Sequence, residues 1–223
     1  MAGTSAASNV DLLVYNRKIS LGTLSGYAIR REALQILQTL NNSSVFASFV
    51  VNPSFLEIYN MKYTEKQVRR IDENFLDYSS FLTLRLAVPS PRLRRYGLVY
   101  KYFSGDVSGD IGEALVVYFL VEELGLKSYN ICHLRSEKRR RYLTPDFIIW
   151  DQNNALTRMI QESHHPMVYA EVKSSTRVMT DERIERGLNQ LKRVIGSRHG
   201  LLFLVQKNQD KRGYVVHVVV VKE

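Results

Sequence analysis

Hydrophobic positions along the chain follow two spacings, which divide it into predicted strands and helices. Alternating or continuous apolar runs predict strands over 10–15, 45–51, 81–88, 128–134, 145–150, 168–173, 201–206 and 214–221. Helical spacing predicts helices over 28–40, 64–78, 111–124 and 181–195. This mixture predicts an α/β or α+β fold in which helices flank a central mixed β-sheet.

The apolar run over 111–124 fits a helix or a strand when it is taken alone. Asp110 as a helix N-cap and Gly125 as a C-terminal stop favour a helix. Because this helix is apolar on all sides, we expect it to be buried.

Two of the predicted strands carry charged residues. Pro145 and Asp146 open one of them, and Glu171 and Lys173 flank Val172 in the next. Because strand side chains alternate between faces, Glu171 and Lys173 point the same way and Val172 points to the opposite face. One interpretation is an exposed strand face with a surface ion pair; the other is an active site.

The pair Pro145-Asp146, followed by Glu171-Val172-Lys173, resembles the signature of the PD-(D/E)XK nuclease superfamily. The resemblance covers about 105–207. It implies a restriction-endonuclease-like core of one helix, a three-stranded meander, a second helix and a further strand, and the predicted elements follow that order. It also implies Mg²⁺, with Mn²⁺ as a substitute, held by Asp146, Glu171 and the carbonyl of Val172, with Lys173 beside the scissile phosphate.

Two helical residues extend this resemblance. An acidic residue on the first core helix often joins the metal site of the family, and Glu113 matches that position; alternatively, Glu113 forms a capping pattern with Asp110. Gln190 matches a glutamine of the branch similar to the RecB nuclease, although Val194 stands where that branch has a tyrosine. The alternative for Gln190 is an exposed side chain.

The charge balance favours a polyanionic partner. The chain has 31 basic and 22 acidic residues, a net charge of +9, and DNA is favoured over RNA. Arg139, Arg140 and Arg141 precede the Asp146 strand, and Arg186 shares a helix with Gln190. We expect phosphate contacts from these residues; for the basic run, a solvated turn is the alternative.

Cysteine content, the N-terminal residues and the length of the apolar runs predict the cellular location of the protein. The single cysteine, Cys132, indicates a reducing compartment and a small core residue. The N-terminus lacks the features of a signal peptide, and no apolar run is long enough to span a bilayer, so a cytoplasmic protein without membrane contact is expected. His164 and His165 are interpreted as exposed loop residues rather than metal ligands.

The predicted organisation is a disordered leader (1–9), an N-terminal α+β elaboration (10–100) and a nuclease core (101–223). The elaboration is a candidate docking region for a helicase-type protein or a second copy of the chain. The resulting hypothesis is a metal-dependent endonuclease in defence against foreign DNA, including antiviral defence, or in repair. The alternative is a catalytically silent nucleic-acid-binding or regulatory subunit.

Overall fold

The computed structural model describes residues 8–40, 45–51, 105–133, 145–175, 177–194, 199–207 and 213–222. Their strands are β1 (Ser8–Ser20), β2 (Val45–Val51), β3 (Ile131–His133), β4 (Phe147–Trp150), β5 (Met167–Ser175), β6 (His199–Lys207) and β7 (Gly213–Lys222). Their α-helices are α1 (Gly26–Thr39), α2 (Gly105–Tyr118), α3 (Thr157–Ile160) and α4 (Asp181–Lys192). The helix predicted over 64–78 and the strand predicted over 81–88 lie outside these residues.

The strands of the described ranges form one seven-stranded sheet in the order β2-β1-β7-β6-β5-β4-β3. β1 and β7 pair in parallel, as do β5 and β6, and the other neighbours are antiparallel. β3, β4 and β5 make an antiparallel meander, and α4 lies in the connection from β5 to its parallel neighbour β6, as parallel pairing requires. A mixed sheet flanked by helices confirms the predicted fold class at this level.

A separate hydrophobic core covers each face of the sheet. On one face, hereafter the α2 face, α2 packs against β5 beside Val168, Ala170 and Val172. On the other, hereafter the α4 face, α1 and α4 pack beside Tyr169. Because both faces are covered, central strands such as Phe147–Trp150 are buried throughout, which explains their continuous apolar runs.

The apolar stripes of α1 and α4 determine how these helices pack. Ile184, Leu188 and Leu191 are the buried core positions predicted for α4. On α1, Ile29 and Ile36 belong to the same core, and the two helices contact each other over the α4 face. An amphipathic stripe of this kind is stabilised mainly by such tertiary packing.

The start of α2 differs from the prediction, while its end agrees. The helix begins at Gly105, so Asp110 lies inside it and the predicted N-cap is wrong. Local propensity favoured a turn here, and packing overrides such preferences. After a π-helical turn over Phe119–Glu123, Gly125 adopts φ +72°, and the N–H of Leu126 donates to the carbonyl of Leu120 at 2.9 Å. Gly125 is therefore the helix stop, as predicted.

The N-terminal segment shares the sheet and both cores with the rest of the chain. β1 pairs with β7 along most of its length, and β2 extends the sheet beyond it. β1 begins at Ser8, so residues 8 and 9, which were predicted to belong to a leader, are part of a strand; residues 1–7 lie outside the described residues. The remainder of the predicted elaboration, residues 52–100, lies outside the described residues.

Two further predictions concern burial and membranes. Cys132 is completely buried, which confirms it as a core residue. Among the helices described, none combines the length and apolar character needed to cross a bilayer.

Candidate active site

β5 places Glu171 and Lys173 together on the α4 face. Val172, between them, belongs to the core of the opposite face. The Lys173 stem lies under α4, where a Cβ placed on Gly187 would be 3.3 Å from Lys173 Cγ. Lys173 Nζ in turn contacts Glu171 Oε1 as a hydrogen-bonded ion pair. Strand alternation therefore brings the two side chains together, as the sequence predicts.

Asp146 is fixed to the same segment of β5 by a hydrogen bond. The β4–β5 register pairs Phe147 with Ala170, so position 146 lies one step further along, beside Glu171. The N–H of Val172 donates to Asp146 Oδ2 at 2.7 Å. The Asp146 carboxylate thus lies against the backbone between Glu171 and Lys173.

Glu171 is the electrostatic centre of this arrangement. Its side chain is completely buried, and among the described residues Oε2 has no hydrogen-bond partner. Burial, and then the charge of Asp146, raise the pKa of the Glu171 carboxyl well above its usual value; Lys173 opposes this rise and Glu113 adds to it. Complete burial excludes the interpretation of an exposed surface ion pair for Glu171.

Glu113 acts on this cluster from α2. Because α2 begins at Gly105, Glu113 stands well inside the helix, and its interpretation as a capping residue is excluded. Glu113 is half-buried, and its charge contributes to the raised pKa of Glu171. The structure therefore brings Glu113, Asp146 and Lys173 within electrostatic range of Glu171.

The oxygen atoms of Asp146, Glu171 and the Val172 carbonyl are chemically suited to bind a hard divalent cation. Mg²⁺ takes oxygen ligands and keeps several waters, so two carboxylates and a backbone carbonyl suffice. Glu171 Oε2 is a buried oxygen with no hydrogen-bond donor among the described residues, and a cation there would relieve the repulsion from Asp146. Across the described ranges, no three His, Cys, Asp or Glu side chains form a group able to hold a metal ion as they stand.

The residues predicted to contact nucleic acid differ in their exposure to solvent. Arg139, Arg140 and Arg141 lie outside the described residues. Arg186 is exposed on α4, whereas Gln190 is buried at 9% exposure, so its side chain is not presented to solvent. Arg183, which precedes them on α4, donates to the carbonyl of Ser174 and links the helix to the end of β5.

A second polar cluster lies at the opposite end of the strands, and sequence reasoning missed it. His164 Nε2 lies 2.9 Å from Asp151 Oδ2, and its side chain is fully buried, so the expectation of an exposed loop is wrong for His164. Glu162 Oε1 contacts His199 Nε2 and lies 3.2 Å from Lys222 Nζ. The signal was the hairpin itself, since pairing of Trp150 with Met167 places Asp151 opposite Pro166, two residues from His164.

Asp151 organises the β4–β5 connection. Its carboxylate accepts the N–H groups of Ala155 at 2.8 Å and Leu156 at 2.9 Å, besides His164. Burial by itself would raise the pKa of Asp151, but the hydrogen bonds from His164, Leu156 and Ala155 outweigh this effect, so the pKa is lowered. These bonds indicate a structural role for Asp151.

His217 is a further buried polar residue without a sequence signal. It is 3% exposed, and neither ring nitrogen has a hydrogen-bond partner in the part of the chain that the structure describes. Burial lowers the pKa of His217 to about 4, so the ring is neutral at physiological pH. On the sheet, His217 of β7 pairs with Leu204 of β6, and Leu204 pairs in turn with Lys173 of β5. Leu204 therefore separates His217 from Lys173 and the Glu171 site.

Comparisons with known proteins give no assignment: no protein-family model matches the chain, and no match is found among the curated proteins or the solved structures.

Proposed function

We propose that this protein is a metal-dependent nuclease that hydrolyses phosphodiester bonds, with DNA as the favoured substrate. The observation that carries the proposal is the buried Glu171 carboxylate, which is paired with Lys173 and surrounded by Asp146 and Glu113. A buried carboxylate with a raised pKa and a specific charge partner is typical of functional sites. The net charge of +9 supports a polyanionic substrate.

The order of elements supports the same conclusion. From α2 onward, the chain runs through the β3–β4–β5 meander, then α4, and then β6 in parallel with β5. This is the order implied by the resemblance to the PD-(D/E)XK superfamily. The aspartate opens the second strand of the meander and the Glu-Val-Lys segment lies in the third, so the proposed core and its motif agree in position.

Each side chain has a distinct proposed role. Asp146, Glu171 and the Val172 carbonyl would hold Mg²⁺ or Mn²⁺, with Glu113 supporting them from α2. An ion held there would lower the pKa of its bound water and would neutralise charge on the phosphate. Lys173 offers a compact ammonium with rotatable donors, which orients the attacking water and offsets negative charge as it develops. The Val172 N–H keeps Asp146 in place.

The decisive experiment compares Lys173→Ala with Lys127→Ala, an exposed lysine distant in sequence from the site. Both proteins are assayed on plasmid, linear duplex, single-stranded DNA and RNA, with Mg²⁺, Mn²⁺ or EDTA. We expect Lys173→Ala to lower cleavage by about 10²–10³-fold and Lys127→Ala to leave it unchanged. Lys173→Ala should remain folded, because the Glu171 carboxylate can bind a proton once the Lys173 ammonium is removed.

The outcomes separate the hypotheses. Metal-dependent cleavage that Lys173→Ala leaves intact would assign the activity to other residues or to a contaminant. Absence of cleavage on all four substrates, together with salt-sensitive binding that EDTA does not change, would favour the silent nucleic-acid-binding subunit.

A further inference from the structure

α2 approaches β5 at a glycine. A Cβ placed on Gly112 would lie 2.7 Å from Ser174 Cβ, 3.2 Å from Ser174 Oγ and 3.3 Å from Val172 Cγ1. Carbon atoms that are not bonded to each other are most stable about 3.5–4.0 Å apart. The helix therefore lies closer to β5 than any residue with a side chain at position 112 would permit.

Within α2, this close approach occurs at Gly112 and not at Gly109. Gly109 lies in the same helix, and a Cβ there would meet nothing within 4 Å. A Cβ placed on Gly187, which approaches β5 and β6 from the α4 face, would lie 2.5 Å from Leu202 Cδ1. That methyl group is the end of a flexible side chain, whereas Ser174 Cβ is attached directly to the β5 backbone. Gly112 thus imposes the stricter limit on the position of its helix.

The close contact at Gly112 also determines the position of Glu113, the next residue in the helix. Glu113 is carried by the same turn of α2, and its charge already acts on Glu171 across the sheet. To relieve a 2.7 Å contact, α2 would have to withdraw from β5 by about 1 Å, and Glu113 would withdraw with it. A misplacement of about 1 Å in a catalytic site can cost about 10²-fold in rate.

We propose that Gly112 is a positioning residue: the absence of a side chain there sets the distance between α2 and the Val172–Ser174 segment, and so the distance from Glu113 on α2 to Glu171 on the opposite face of β5. Its effect on catalysis rests on the proposed nuclease function. Its effect on the position of α2 does not.

The test is a set of variants built around this contact. Gly112→Ala should lower kcat about 100-fold with KM nearly unchanged, and should weaken Mg²⁺ binding measured by calorimetry. Adding Ser174→Gly removes the Cβ and Oγ that obstruct the new methyl group, so this double variant should recover most of the loss. Adding Ser174→Ala instead retains the obstructing Cβ and should not recover it. Gly109→Ala is the matched control and should behave as wild type.

Crystal structures of wild type and Gly112→Ala provide a readout that does not depend on activity. In the variant, α2 should stand about 1 Å farther from β5. The proposal is overturned if Gly112→Ala keeps full kcat and metal affinity, if Ser174→Ala rescues as well as Ser174→Gly, or if α2 does not move. If wild type neither cuts nucleic acid nor binds Mg²⁺, the proposed function fails, and displacement of α2 alone decides the positioning role.

Discussion

Glu171 should make the metal-free protein less stable as the pH rises, and Glu171→Gln should remove this dependence. The ordinary pKa of a glutamate is 4.5, and burial, then Asp146, raise the pKa of Glu171 well above it. A raised folded-state pKa means that the folded protein retains the proton more tightly than the unfolded chain. The stabilisation is therefore complete below about pH 4.5 and is lost as the pH rises through the folded-state pKa.

The size of the effect follows from a single titrating group. One proton difference between the two states changes the free energy of unfolding by at most about 1.4 kcal/mol per pH unit. For a protein of this size, about 1 kcal/mol shifts the melting temperature by about 2–4 °C. Relative to Glu171→Gln, the melting temperature of wild type should therefore fall by up to about 3–6 °C per pH unit across this window.

The assay is thermal and urea unfolding of both proteins in EDTA from pH 4 to pH 8. Taking the difference between them cancels groups that titrate in both, such as Asp151 and His217. Exposed Glu123→Gln is the matched control and should leave the pH profile of wild type unchanged. A wild-type minus Glu171→Gln difference that stays constant over the whole range would refute the raised pKa and the electrostatic description of the site.

Two other buried groups give predictions of their own. Burial lowers the pKa of His217 from 6.5 to about 4, so its stabilising contribution is present above pH 6.5 and is lost as the pH falls through 4. His217→Leu should therefore retain about 3 kcal/mol more stability than wild type at acid pH, as measured by urea unfolding. Parallel pH profiles of the two proteins would contradict this. Asp151→Ala removes the acceptor of two backbone N–H groups and of His164, so it should lower the free energy of unfolding by about 3 kcal/mol, while exposed Glu123→Ala should change it little.

Strand alternation was the part of the site that the sequence could predict. Glu171 and Lys173 share a face because β5 is a regular strand through the Glu-Val-Lys segment, and its period of two leaves no other arrangement. The apolar stripe of α4 and the Gly125 stop of α2 were predictable for the same reason, since each depends on local geometry. Asp146 beside Glu171 required in addition the β4–β5 register, which the sequence suggested only through resemblance.

Burial and long-range pairing were beyond the sequence. Nothing in the local pattern distinguishes a Glu-x-Lys on an exposed strand from one covered by a helix, so the complete burial of Glu171 emerged only with α4 in place. The parallel pairing of β1 with β7 joins the two ends of the chain, and no local signal specifies it. The start of α2 was mispredicted because Gly, Ser and Asp favour turns locally, whereas packing against the sheet favours the helix.

The buried carboxylate leads to a last prediction, in which stability and activity change in opposite directions. Because the folded protein holds the Glu171 proton more tightly than the unfolded chain does, wild type loses stability between about pH 4.5 and pH 8 that neutral Glu171→Gln does not lose. Glu171→Gln should therefore unfold at a higher temperature than wild type at pH 8 in EDTA. The same substitution removes a proposed metal ligand, so cleavage should fall by at least about 10²-fold. Both quantities are measured on one preparation. A variant that is less stable and also inactive would indicate that Glu171 serves the fold, and the proposed catalytic role would then lose its physical basis.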